Sequence, residues 1–206
     1  MKRAWTALAV VGVVAVAIGL MYVGRRNQMV VKSQAVEAQW HNVDVVLQRR
    51  ADLIPNLVET VKGYAAQEQK VFGDIAAARA ALLGAQTPAA RIAANGALDG
   101  ALGRLLAIAE NYPQLRSNEN FQRLQDELAG TENRISVERR RYNETVQDYN
   151  TYIGLFPNNI YASWAGFKPN TAYFTASESS REAPKVQFPG PATATPPAPA
   201  PVPATK

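Results

Sequence analysis

The sequence predicts an all-α protein: an N-terminal transmembrane helix, an up-and-down antiparallel four-helix bundle, and a disordered Pro/Ala-rich C-terminal tail. Three observations predict it. A run of 21 uncharged residues, Ala4 to Gly24, opens the chain. From there to about residue 176, apolar side chains recur at three- and four-residue steps, with few turn clusters and no strand alternation. After that, Pro, Ala and Thr dominate. The expected divisions are 1–26 for the membrane anchor with its basic flanks, 27–176 for the bundle and 177–206 for the tail.

The anchor is justified by length. At 1.5 Å per residue, 4–24 spans roughly 30 Å, the thickness of a hydrocarbon core. Trp5 and Tyr22 sit near its ends, where amphipathic rings favour the membrane interface. A cleaved signal peptide has a shorter apolar region, about 7–15 residues, and a small-residue cleavage site. This run is longer and ends in "YVGRRNQ". Gly12 and Gly19 could form a small-residue face for helix association, though the anchor contains no GxxxG. Lys2, Arg3 and the amino terminus nearly balance Arg25, Arg26 and Lys32 across the span. The positive-inside rule therefore discriminates weakly, and the expected orientation has the N-terminus inside and the bundle outside the cytoplasm.

Composition excludes several classes. The 206 residues contain no cysteine, which removes disulfides, thiolate zinc sites, a Cys nucleophile and a lipoprotein anchor. The net charge of +5 is uneven. Residues 1–26 hold four basic side chains and no acid, whereas 27–176 hold 15 of each sign. The bundle is neutral, so it lacks the basic footprint of a nucleic-acid binder, and no nucleic-acid partner is expected.

In the first helical run, Val36, Trp40, Val43, Leu47, Ala51 and Ile54 form one stripe. "QRRADLIPNLVE" (Gln48–Glu59) then raises a question, because Pro55 interrupts an otherwise helical pattern. With Asp52 as N-cap, Pro55 falls in a first turn, where its missing N–H has no partner to lose. Arg49 and Arg50 then close the preceding helix. The rival reading is one long kinked helix; the break is preferred. The second run continues through Val61, Phe72 and Ile75 to Leu82 and stops at "LLGAQTPA", where Thr87 and Pro88 are helix-start chemistry. The third covers about 89–111, with Leu98, Leu102, Leu105 and Ala109 on one face. "NYPQLRSNEN" reads as a loop in which Ser117 or Asn118 caps the next helix.

The fourth run is the most regular. Phe121, Leu124, Leu128, Thr131, Ile135, Glu138, Tyr142, Thr145, Tyr149, Tyr152 and Phe156 alternate three- and four-residue steps almost strictly, as in a coiled-coil seam. Its tyrosine-rich half reads either as a wet bundle end or as a partner surface. Glu138 lies on the seam, and a pairing with Arg49 or Arg50 would fix register more than add stability. Six aromatic residues lie from Phe156 to Phe174, around and beyond Pro157. "NNIYASWAGF" reads as a short helix capped by Asn158 or Asn159 and ended by Gly166. Its rings, Trp164 among them, either cover a bundle end or meet a bilayer or a neighbouring subunit.

No catalytic residue, metal site or cofactor site is expected. His41, the single histidine, has Asp44 three residues on but no second histidine or cysteine to complete a metal site. Glu127 and Glu132 have basic neighbours at ion-pair spacing. GxxxxGK, GxGxxG, GxSxG and HExxH are absent.

Three ordered stretches resemble the LemA family of bacterial membrane proteins: "QWHNVDVVLQRRADLIPNLVETVKGYAAQE", "LGRLLAIAENYPQLRSNENFQRLQDELAGTENRISVERRRYNETVQDYNT" and "FPNNIYASWAGFKPNTAYF". The likeness covers roughly 28–175. It implies a four-helix bundle on a single-pass anchor in the bacterial inner membrane, with no known catalytic residues. A relative that works in magnetosome membranes implies, by analogy, membrane shaping or organisation. The expectation is a non-enzymatic scaffold that self-associates as a homo-oligomer and contacts lipid through residues 4–24. The alternative is an adaptor or sensor that regulates a membrane-protein partner such as a protease. The expected contact residues are Arg49, Arg50, Asp52, Pro55, Glu138 and Trp164.

Overall fold

Apolar side chains at helical spacing can be buried only if the helices carrying them lie against one another. The computed structural model, which describes residues 2–175, is built this way. Six α-helices and no strand occur among the described residues. The all-helical expectation is borne out. The residues to Phe174 form one compact unit; the second, Thr175–Lys206, lies almost wholly outside the described residues, as does the tail expected to be disordered.

Helix α1, Lys2–Lys62, is 61 residues long. Its first third is exposed on every side, with only Tyr22 and Arg25 partly covered before Met29. From Met29 a buried stripe begins: Val36, Val43, Leu47, Arg50, Ile54, Leu57 and Val61. One uninterrupted helix thus passes from an all-round apolar rod to an amphipathic core element. The rod is long and apolar enough to cross a membrane by length and composition, and none of its apolar window is buried.

The break expected at Asp52 does not occur. Asp52 is exposed and lies inside α1, where it accepts from Gln48 Nε2 at 3.0 Å, and Pro55 is within the same helix. The first turn comes instead at Gly63, where the amides of Tyr64 and Ala65 both donate to the Val61 carbonyl, at 3.0 and 2.9 Å. Proline removes one helical hydrogen bond, and here an arginine of a neighbouring helix, Arg79, supplies a substitute donor.

The remaining ends follow local chemistry. Helix α2 covers Gln69–Gly84 and α3 covers Pro88–Ala109; Thr87 Oγ1 accepts from the Ala90 amide, with Pro88 in the first turn. One helical turn, α4 (Pro113–Arg116), stands where a loop was expected. Asn118 Oδ1 accepts from the Phe121 amide at 3.0 Å and opens α5, Glu119–Gly154. Helix α6, Asn158–Ala165, ends at Gly166, whose φ of 77° strains any residue with a Cβ. Neither Asn158 nor Asn159 is its N-cap, a position held by Pro157. Asn158 instead donates to the Tyr152 carbonyl, because it is buried against the end of α5.

Cross-helix partners give the sense of packing. Along α1, Lys32, Trp40 and Arg50 meet Tyr152, Tyr142 and Glu132 in turn, and Tyr64 just past its end meets Asn118 just before α5, so α1 and α5 are antiparallel. Asp44 and Arg50 meet Arg91 and Asp99, so α3 runs with α1. The α2–α3 hairpin is antiparallel, and Arg104 reaches Asp74. Helix α3 is also long and apolar enough to cross a membrane, but Leu98, Ala101, Leu102, Leu105 and Ala109 are buried in the core. It is a core helix.

On α5 the heptad stripe holds for Phe121, Thr131, Ile135, Tyr142 and Tyr149, then shifts by one residue to Val146 and Ile153. Phe156, at the end of the expected seam, is 80% exposed.

Candidate functional site

Arg50 occupies a core phase of the α1 stripe, one turn from Leu47 and Ile54, and is only 7% exposed. A buried guanidinium must be neutralised and hydrogen-bonded. Its Nη1 lies 2.5 Å from Asp99 on α3 and 2.7 Å from Glu132 on α5, with Asn95 Oδ1 at 3.4 Å. Asn95 donates in turn to Asp99 at 3.1 Å. Arg139 approaches from α5, 3.5 Å from Asp99 and 3.9 Å from Glu132. Two guanidinium groups and two carboxylates thus balance in one cluster joining three helices. Both carboxylates keep one side towards water.

Beside the cluster a cavity of about 260 Å³ runs between α1, α3 and α5, walled by Leu57, Leu102, Leu106, Leu128 and Ala129 with Arg50 and Glu132 at one end. Its walls are apolar, and its charges are already paired. The paired charges tie α1, α3 and α5 together. The arrangement offers no free nucleophile with an adjacent base. Among the described residues, no three His, Cys, Asp or Glu side chains converge as a metal-binding group.

The expected pairing of Arg49 or Arg50 with Glu138 is not what forms. Glu138 accepts from Gln39 on α1 at 2.6 Å and from Arg141 at 2.9 Å. The reason is register. In the antiparallel α1–α5 pair, Arg50 is level with Glu132, and Glu138 lies six residues, about 9 Å, further along α5, where Gln39 reaches it from the neighbouring turns of α1. Arg49 is exposed and borders a shallow depression with Glu127 and Arg134. His41 is exposed.

Pro55 has a specific consequence. It leaves the carbonyl of buried Ala51 without its helical donor, and Arg79 on α2 donates to that oxygen through Nε at 2.8 Å.

The segment after α6 is fastened to α5 by two asparagines seven residues apart. Asn150 Oδ1 accepts from the Asn170 amide at 2.8 Å, while its Nδ2 donates to the Asn170 carbonyl and to Tyr173 Oη. Asn143 repeats the pattern on both backbone groups of Phe174, at 3.0 and 2.8 Å. Tyr149 donates to the Lys168 carbonyl. The strap carries Phe174 into a ring cluster with Trp40 and Tyr142, under the Arg139 guanidinium. Burial raises the Tyr142 and Tyr149 phenols above their usual range.

Sequence reasoning missed Asp99, Glu132 and Arg79 as partners, and missed Asn143 and Asn150. The signal for Arg50 was its phase in the stripe. For the asparagines it was their heptad spacing.

These stretches are also where the chain matches known proteins. The family model described as "LemA family" matches residues 39–188. The chain belongs to the LemA family. Among relatives of this LemA-family chain, the magnetosome protein MamQ 2 of Paramagnetospirillum magneticum is 29% identical over 170 residues, covering 70% of this chain and 62% of that protein. MamQ of Magnetospirillum gryphiswaldense is 28% identical with the same coverage. Protein LemA of Metamycoplasma hominis is 24% identical over 162 residues, 78% of this chain and 74% of that protein. The chain spans about three fifths of the length of the MamQ relatives. Arg50, Asp99, Glu132, Arg139 and the asparagine-pinned strap of the LemA-family chain all fall within the family match.

Proposed function

We propose that this protein is a non-enzymatic, membrane-anchored helical scaffold. Residues 4–24 span a bacterial inner membrane once, and the four long helices α1, α2, α3 and α5 form an up-and-down bundle on its extracytoplasmic side. The bundle self-associates and organises membrane through protein and lipid contacts.

The observation that carries this reading is the continuity of α1. The exposed apolar rod and the buried stripe belong to one helix without a break. A rigid join transmits the position of the bundle to the bilayer, as a scaffold requires. The balanced Arg50 cluster supports it further, because a centre with paired charges serves register better than chemistry. That relatives are named as magnetosome proteins is consistent with organising a membrane.

The apolar cavity beside Arg50 favours a second reading, an adaptor or sensor that regulates a membrane-associated enzyme such as a protease. Light scattering of the full chain in nanodiscs, with electron microscopy of lipid reconstitutions, separates the two. Ordered assemblies or deformed bilayers are the scaffold outcome. A monomer that purifies with one stoichiometric membrane-protein partner is the adaptor outcome and overturns the scaffold.

A further inference from the structure

A single spanning helix leaves the attached domain free to tilt and rotate on the membrane. Helix α6 packs beside the end of the apolar rod, where its Tyr161 meets Tyr22. Its inner face, Asn158 and Ala162, is buried. Its outer face carries Ile160 and Trp164, 41% and 70% exposed, and the connection that leads into it adds Leu155 and Phe156, 58% and 80% exposed. Large apolar side chains grouped on one exposed face mark a contact surface.

The position of that face identifies its occupant. Tyr161 of α6 packs edge-on against Tyr22 of α1, with ring centroids 6.0 Å apart, and against Trp164 at 6.1 Å. Tyr22 lies about 26 Å along α1 from Trp5, which marks the other end of the apolar rod. Helix α6 therefore stands level with the end of the rod, at the depth where tyrosine and tryptophan favour the interface.

Charge agrees. The chain has no acidic residue before Glu37 and none between Asp148 and Glu178, and these two segments carry Arg25, Arg26, Lys32 and Lys168. This end of the molecule is aromatic and cationic, which suits anionic lipid headgroups.

We propose that α6 is a lipid-facing foot. It lies in the headgroup layer of the leaflet from which α1 emerges, inserts Phe156, Ile160 and Trp164, and sets Arg25, Arg26 and Lys168 against anionic headgroups. The foot and the rod together fix the orientation of the bundle on the membrane. This rests on the reading that residues 4–24 span the bilayer.

The absence of cysteine makes site-directed nitroxide labelling clean. The full chain is reconstituted in nanodiscs of phosphatidylcholine and phosphatidylglycerol, labelled singly at Phe156→Cys, Trp164→Cys, Val14→Cys or Gln147→Cys. Accessibility to oxygen is compared with accessibility to a water-soluble nickel chelate. Expected is a ratio favouring oxygen at 14, favouring oxygen less strongly at 156 and 164, and favouring nickel at 147. Oxygen preference at 14 with nickel preference at 156 and 164 overturns the foot and leaves the anchor standing. Nickel preference at 14 overturns both. Protection of 164 from both reagents, with spin–spin broadening between labels, means that a second copy covers the face, and this also overturns the foot.

Discussion

The Nε of Arg79 donates to the carbonyl oxygen of Ala51 at 2.8 Å, and Ala51 is four residues before Pro55. The proline that leaves a hydrogen bond unmade in α1 thus creates the acceptor by which α2 is held. Each side depends on the other. Replacing Arg79 strands a buried carbonyl, at about 1–3 kcal/mol. Replacing Pro55 gives that carbonyl a backbone donor again.

The first prediction is a double-mutant cycle in the full chain in detergent, read by thermal unfolding. Arg79→Leu lowers Tm by several degrees when Pro55 is present, since about 1 kcal/mol corresponds to roughly 2–4 °C at this size. In the Pro55→Ala background the same change costs clearly less, with a coupling of about 1 kcal/mol. Equal costs in both backgrounds would show that Arg79 does not serve the orphaned carbonyl.

The second prediction contrasts two charged residues that both fall on helix seams. Arg50→Met leaves Asp99 and Glu132 facing each other with only the more distant Arg139. A fully buried pair loses about 3–5 kcal/mol when one partner is removed. The two carboxylates here are more than a third exposed and can rehydrate, so the expected loss is about 1–3 kcal/mol. Glu138→Gln keeps an acceptor for Gln39 and loses an ion pair with the exposed Arg141, at less than about 1 kcal/mol. Denaturation midpoints in the reverse order would refute the assignment of Arg50 as the hub.

The contrast shows what the sequence made legible. Periodicity located α3 and α5, and cap chemistry at Thr87, Asn118 and Gly166 located helix ends, because these signals depend on residues one turn apart. The Pro55 boundary was misread because its remedy comes from Arg79, 24 residues away on another helix. The partner of Glu138 was misread because pairing depends on helix register, which no local pattern contains. Arg50 stood out as a charge at a core phase, but choosing Asp99 and Glu132 among many carboxylates required knowing that α3 runs parallel to α1 and α5 antiparallel to it.

The third prediction concerns the strap. Asn150 pairs with both backbone groups of Asn170 and with Tyr173 Oη, so Asn150→Ala removes three hydrogen bonds at once. Several bonds of about 1 kcal/mol each hold a segment with no helical bonds of its own. Hydrogen exchange should rise first at the Asn170 and Phe174 amides and leave the centre of α5 protected. Proteases should cut between 167 and 175 in the variant before they cut the wild type. Unchanged exchange at both amides would show that Asn150 does not hold the strap.

The last prediction is a pH dependence. Burial raises the phenol pKa of Tyr142 and Tyr149, since a desolvated phenolate is disfavoured. The folded chain then keeps these protons at a pH where the unfolded chain, with tyrosines titrating near 10, releases them. The unfolded state binds fewer protons in that window, so stability falls as pH rises. The contribution is intact below about pH 10 and is lost above it, with a slope of at most about 1.4 kcal/mol per pH unit for each tyrosine. Tyr149 adds a structural effect, because a phenolate cannot donate to the Lys168 carbonyl and the strap loses that tie as the proton leaves. Melting curves of the full chain in detergent between pH 8 and 11 test this. The wild type should lose Tm from about pH 10 upward, Tyr142→Phe should lose it less steeply, and Tyr142→Phe with Tyr149→Phe least of all. If the three alkaline slopes coincide, the buried phenols do not control the transition.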